Sequence, residues 1–101
     1  MAEIERFGIK DQYWKSILTI IHANPKVEQV ILFGSRALGS FKPGSDIDLC
    51  LKGEQLTQAD LTRLMVHLDE LDLPWIVDLV MFSQISNPDL TDHIERVGIK
   101  L

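Results

Sequence analysis

Asp46 and Asp48 stand two residues apart just beyond a glycine-serine turn, Gly34-Ser35-Arg36, and a third carboxylate, Asp78, sits inside the apolar run from Trp75 to Phe82. On a strand, side chains two apart project from one face roughly 7 Å apart, so the aspartate pair can converge on a single cation. Carboxylate oxygens suit Mg²⁺ or Mn²⁺ rather than Zn²⁺. Asp78, placed beside them in a sheet, completes a three-carboxylate cluster that repels itself without a cation. Such a cation neutralises phosphate oxygens and lowers the pKa of an attacking hydroxyl, and Asp78 is the candidate to orient or deprotonate that hydroxyl. Gly34 lets the backbone turn sharply, leaving amide N–H groups and the Ser35 hydroxyl for the β and γ phosphates of a nucleotide. Arg36, with Lys42 as a second cation, can balance the leaving pyrophosphate. Carboxylate pairs on strands also line solvated sheet faces; the turn and Asp78 together lift this set above that reading.

The elements that must hold these groups read clearly. Trp14, Ile17, Leu18 and Ile21 recur at i, i+3, i+4 and i+7, which predicts a helix from Asp11 to Asn24, stopped by Pro25. Val27 to Phe33 reads as a central strand, residues 37–44 as a loop, and Ser45 to Lys52 as a second strand. In that second strand Ile47, Leu49 and Leu51 face one way, and Asp46, Asp48 and Cys50 the other. Thr57 and Asp60 form a capping box for a helix with Leu61, Leu64, Met65 and Leu68 on one side, closed at Leu73-Pro74. Trp75 to Phe82 is a third strand, its interior Asp78 expected among apolar neighbours. Asn87-Pro88 then supplies the N-cap and first turn of a closing helix with Leu90, Ile94 and Val97 inward. The order α-β-β-α-β-α predicts an α+β fold, a small mixed sheet covered by helices.

A length of 101 residues fits a single domain, residues 1–101, with no room for a separate acceptor-binding domain. With 10 basic and 15 acidic residues the net charge is -5 and no basic stretch occurs, which argues against direct nucleic-acid binding. No membrane span or secretory signal is expected, and the single cysteine, Cys50, cannot form an internal disulfide, so a cytoplasmic protein is expected. His22, His67 and His93 have no ligand spacing and read as surface or satisfied side chains.

Gly34-Ser35-Arg36-Ala37-x-Gly39 followed by Ser45-Asp46-Ile47-Asp48-Leu49 resembles the signature of nucleotidyltransferases of the DNA polymerase beta superfamily. The short chain and the segment Leu73 to Leu79 resemble the minimal nucleotidyltransferases of prokaryotes. That resemblance implies a polymerase beta-like fold and nucleotide binding at Gly34, Ser35, Arg36 and Ser45. It also implies Mg²⁺ (or Mn²⁺) on Asp46, Asp48 and Asp78, with ATP as donor. It further implies a hetero-oligomer with a HEPN-domain protein encoded nearby, a ribonuclease toxin silenced by transfer of AMP to a tyrosine. Leu38 departs from the basic residue common at that place. Two rivals remain at this level: an antitoxin that neutralises its partner by contact alone, and a transferase acting on a small-molecule acceptor.

Overall fold

The computed structural model describes residues 4–101; residues 1–3, part of the expected single domain, lie outside the described residues. Four strands form a mixed sheet in the order β5-β4-β3-β6: β3 is Gln29–Phe33, β4 Ile47–Lys52, β5 Val77–Met81 and β6 Ile99–Lys100. β3 pairs antiparallel with β4 and β6, and β4 pairs parallel with β5, the two joined by helix α3 (Gln58–Asp69). A parallel pair needs such a crossover. Helix α1 is Asp11–His22, helix α4 Pro88–Val97, and a two-strand hairpin, β1 (Glu5–Arg6) with β2 (Ile9–Lys10), precedes α1.

The alternation read in β4 divides the interior into two layers. Ile47, Leu49 and Leu51 pack with Val30 and Leu32 against Trp14, Ile17 and Ile21 of α1 and Leu61, Leu64 and Leu68 of α3. On the opposite face Cys50 joins Ile31 and Phe33 under Ile94 of α4. Asp48 shares that second face by strand parity, which directs the candidate chemistry toward α4 rather than toward α1 and α3.

Both predicted caps form. The Asn87 side chain accepts from the Asp89 amide, with Pro88 in the first turn. Thr57 Oγ1 accepts from the Asp60 amide at 3.2 Å while Asp60 Oδ2 accepts from the Thr57 amide at 2.9 Å. Asp60 is only 4% exposed and also takes Lys26 Nζ at 3.1 Å. The Thr57 amide first, and then Lys26, pull its carboxyl down to about 2. A depressed carboxyl stabilises the fold above its unfolded value near 3.8, and that contribution is lost as pH falls toward about 2. Melting temperature followed between those limits should therefore fall steeply for the natural chain and less steeply for Asp60→Asn.

Several boundaries differ from the sequence expectation. The second strand starts at Ile47, leaving Asp46 just outside the ladder, and β5 ends at Met81, where a short 3₁₀ turn (Phe82–Gln84) takes over. Residues 34–38 form a short helix, α2 (Gly34–Leu38), where a loop was expected from residue 37. Met65 is 43% exposed rather than inward, because α3 turns that side to an open groove instead of the sheet. No helix among the described residues is long and apolar enough to cross a membrane.

Candidate active site

β3 delivers the chain into the turn. Phe33 is extended and pairs with Asp48 across the ladder, and Gly34 follows at φ +76, a region that disfavours any residue with a Cβ. A Cβ at Gly34 would collide with Asp48 Oδ2, so the turn and the carboxylate touch through the space that glycine leaves. Ser35 is half-buried, and its hydroxyl has no protein partner among the described residues. The Gly34 amide, expected from the sequence to be free for a phosphate, instead donates to His93 Nε2 at 3.1 Å. That bond needs an unprotonated Nε2 and so places the neutral ring's proton on Nδ1. His93 stacks edge-on against Phe33, the register partner of Asp48. Its approach depends on α4 crossing this face of the sheet, so spacing along the chain carried no sign of it.

Asp48 lies between two register partners, Phe33 on β3 and Asp78 on β5. Neighbouring strands run about 4.8 Å apart, and register partners on parallel strands point to the same side. Burial, then repulsion from Asp78 and Asp46, raises the Asp48 carboxyl above its ordinary range. Among the described residues no three Asp, Glu, His or Cys side chains are gathered tightly enough to hold a metal ion as they stand. The donor set nonetheless fits a hard divalent cation: it is all carboxylate oxygen, and its mutual repulsion is what a cation would relieve. Cys50, fully buried behind Asp48 on the same strand face, has its thiol pushed up to about 11 by desolvation and is inert.

Asp78 corrects the expectation of a buried third carboxylate: it is exposed, on the edge strand of the sheet. Burial of the apolar neighbour Leu79 on the α1 and α3 side leaves Asp78 facing outward on the other. Beside it an open groove of about 540 Å³ runs from Met65 and Val66 of α3 past Leu73, Trp75 and Ile76. An acceptor group can therefore approach Asp78 from solvent without passing the turn.

Arg36 and Ser45 also stand differently from their expected phosphate-binding roles. Arg36 is 1% exposed, and backbone carbonyls take up its guanidinium: Nε and Nη2 donate to Ser45 O at 3.1 and 2.9 Å, Nη2 to Pro43 O at 3.2 Å, and Nη1 to Phe7 O at 2.8 Å. Phe41 and Trp75 cover the guanidinium at 5.0 and 5.7 Å. Ser45 Oγ accepts from the Lys42 amide at 2.8 Å, closing the turn before Asp46. These two side chains brace the loop from within. Lys42 and Leu38 are exposed.

Residues 15–101 match the family described as polymerase beta, nucleotidyltransferase. The chain is 33% identical over 100 residues to the "probable protein adenylyltransferase MntA" of Haemophilus influenzae, covering 98% of this chain and 87% of that protein. A toxin-antitoxin crystal structure with AMP-PNP superposes with a TM-score of 0.69 at 27% identity, over 85% of this chain and 69% of that one. A tri-AMPylated Shewanella oneidensis HEPN toxin in complex with an MNT antitoxin gives a TM-score of 0.66 at 24% identity, over 89% of this chain and 69% of that one, a likeness of fold. The matched stretch runs from within α1 to the last residue and holds the turn, the loop and both carboxylate strands: the chain belongs to the polymerase beta nucleotidyltransferase family.

Proposed function

We propose that this nucleotidyltransferase moves AMP from ATP onto a hydroxyl of a partner protein, a tyrosine of a HEPN ribonuclease toxin, and acts as its antitoxin. The observation that carries this reading is the contact of the Gly34 turn with Asp48, itself in register with solvent-facing Asp78. A phosphate turn, a metal carboxylate and an acceptor-side carboxylate then follow one another across two strands. The names of relatives support the same direction: one is called a protein adenylyltransferase, and solved neighbours are toxin-antitoxin assemblies.

Mg²⁺ held by Asp46, Asp48 and Asp78 would neutralise the triphosphate and polarise the α-phosphate. The Ser35 hydroxyl binds the outer phosphates, and Asp78 orients the incoming hydroxyl and accepts its proton. The hydroxyl oxygen bonds to the α-phosphorus as the bond to the bridging oxygen of the β-phosphate breaks, and pyrophosphate leaves. As a single cytoplasmic domain the chain supplies the nucleotide half of the site, and the partner brings the acceptor.

Incubation with the co-expressed HEPN partner, Mg²⁺ and ATP labelled at the α-phosphate should place label on the partner, whereas γ-labelled ATP should not. No label on the partner with any of the four nucleoside triphosphates overturns the reading.

A further inference from the structure

Asp46 has no ladder to hold it, since β4 begins one residue later. Its neighbour Ile47 is fixed on one side, where the Ile47 amide donates to Ile76 O at 2.9 Å. On the other side the peptide joining Ser45 to Asp46 is a single plane, and whatever orients the Ser45 carbonyl orients the Asp46 amide with it. Arg36 grips that carbonyl with two donors, Nε and Nη2. We propose that Arg36 is a positioning residue which, through the Ser45 carbonyl, sets Asp46 for the metal and locks the metal loop to the nucleotide turn. The proposal rests on the metal and nucleotide reading given above and deepens it.

Three features support a role beyond packing. Among the described residues no carboxylate pairs with Arg36, so a buried charge is sustained by carbonyl dipoles and the faces of Phe41 and Trp75, where an apolar side chain of similar size would fill the same space at less desolvation cost. What an apolar side chain could not do is hold Phe7 O, Pro43 O and Ser45 O from one rigid fork. Next, Arg36 directly follows Ser35, so any shift of the turn is passed to the loop through one short helix. Finally, the loop is held a second time: Trp75 Nε1 donates to the same Pro43 carbonyl at 2.9 Å. Trp75 lies just ahead of β5, so this second bond ties the Asp46 loop to the strand that carries Asp78.

Arg36→Lys keeps a charge but loses the fork, Arg36→Met keeps bulk but loses every donor, and Trp75→Phe keeps the ring but loses one bond. Binding of Mn²⁺ in the presence of ATP, read by electron paramagnetic resonance without any partner, tests the proposal directly. Both Arg36 variants should bind Mn²⁺ about 10-fold or more weaker, the usual cost of removing a residue that orients metal ligands. Trp75→Phe should shift it in the same direction by less. The Mg²⁺ concentration for half-maximal transfer should rise in step, with rate recovering at saturating Mg²⁺ and, at limiting Mg²⁺, KM for ATP moving less than kcat. A purely packing role would instead lower melting temperature and leave the Mn²⁺ affinity of the folded fraction unchanged, and that outcome overturns the proposal. If neither Arg36 variant folds, Trp75→Phe decides alone: weakened Mn²⁺ binding supports the clamp and unchanged binding overturns it. Failure of the natural chain to label a partner would overturn the transfer reading while leaving this Mn²⁺ comparison intact; failure of the natural chain to bind Mn²⁺ at all overturns the clamp.

Discussion

Gly34→Ala should reduce transfer by at least about 100-fold, the scale expected when a preorganised charge-stabilising group is displaced from its place. Two effects add at this position. A Cβ at φ +76 strains the backbone by roughly 1–2 kcal/mol. The same Cβ also collides with Asp48 Oδ2, and because a carboxylate can rotate, the collision is relieved by moving the Asp48 side chain, the candidate metal ligand, rather than by unfolding the chain. The internal control is Gly39, which caps α2 at φ +84 with nothing within 4 Å of where a Cβ would stand. Gly39→Ala should show a similar loss of stability and keep its transfer rate. Thermal melts and steady-state kinetics on the two variants separate strain from displacement: equal rates in both would mean that the contact between turn and carboxylate has no part in the chemistry.

Asp48→Asn should abolish measurable transfer while leaving the metal-free protein no less stable, and more stable at neutral pH. Burial and two neighbouring carboxylates raise the Asp48 carboxyl, so the folded state favours its protonated form. A raised carboxyl contributes stability below its unfolded value and loses it as pH rises through the folded one, so the ionised group weighs against the fold near neutrality. Asparagine mimics the protonated form at every pH. The stability advantage of Asp48→Asn should therefore be largest near pH 7 and close up as pH falls through the carboxylate range, opposite in sense to the acid loss caused by Asp60. Mg²⁺ should reverse the order, raising the melting temperature of the natural chain and not that of the variant. A variant less stable than the natural chain at pH 7 without metal would show that Asp48 serves the fold rather than the cation.

How much of this was legible in the residues follows from the range over which each signal acts. The α+β layering, three long strands and three long helices came from local periodicity, and the Thr57 and Asn87 caps from chemistry within three residues. The two-residue strands β1, β2 and β6 are too short to carry any period. The β1–β2 turn gives only half its usual signal: Gly8 takes φ 76, but Phe7 takes φ 57 where Asn or Gly is the usual residue. Residue types and spacing drew attention to Asp46, Asp48, Asp78 and the turn, and the fold brings Asp48 into register with Asp78. Arg36 was misread because its partners lie at residues 7, 43 and 45, brought together only when the hairpin, α2 and the loop meet. His93 was passed over for the same reason, one helix turn of α4 having to cross the face that carries Asp48. Asp78 looked buried because a run of apolar neighbours does not say whether its strand is inside the sheet or at the edge.

The two tryptophans acquire a meaning from where the fold has put them. Trp14 is sealed in the core, its indole N–H fixed on Arg6 O. Trp75 is half-exposed, edge-on to Tyr13, near the Arg36 guanidinium and hydrogen-bonded to the loop that ends in Asp46. Light emitted by this chain is thus divided into a constant background and one signal that senses the state of the loop, so the natural protein is its own optical gauge without a label attached.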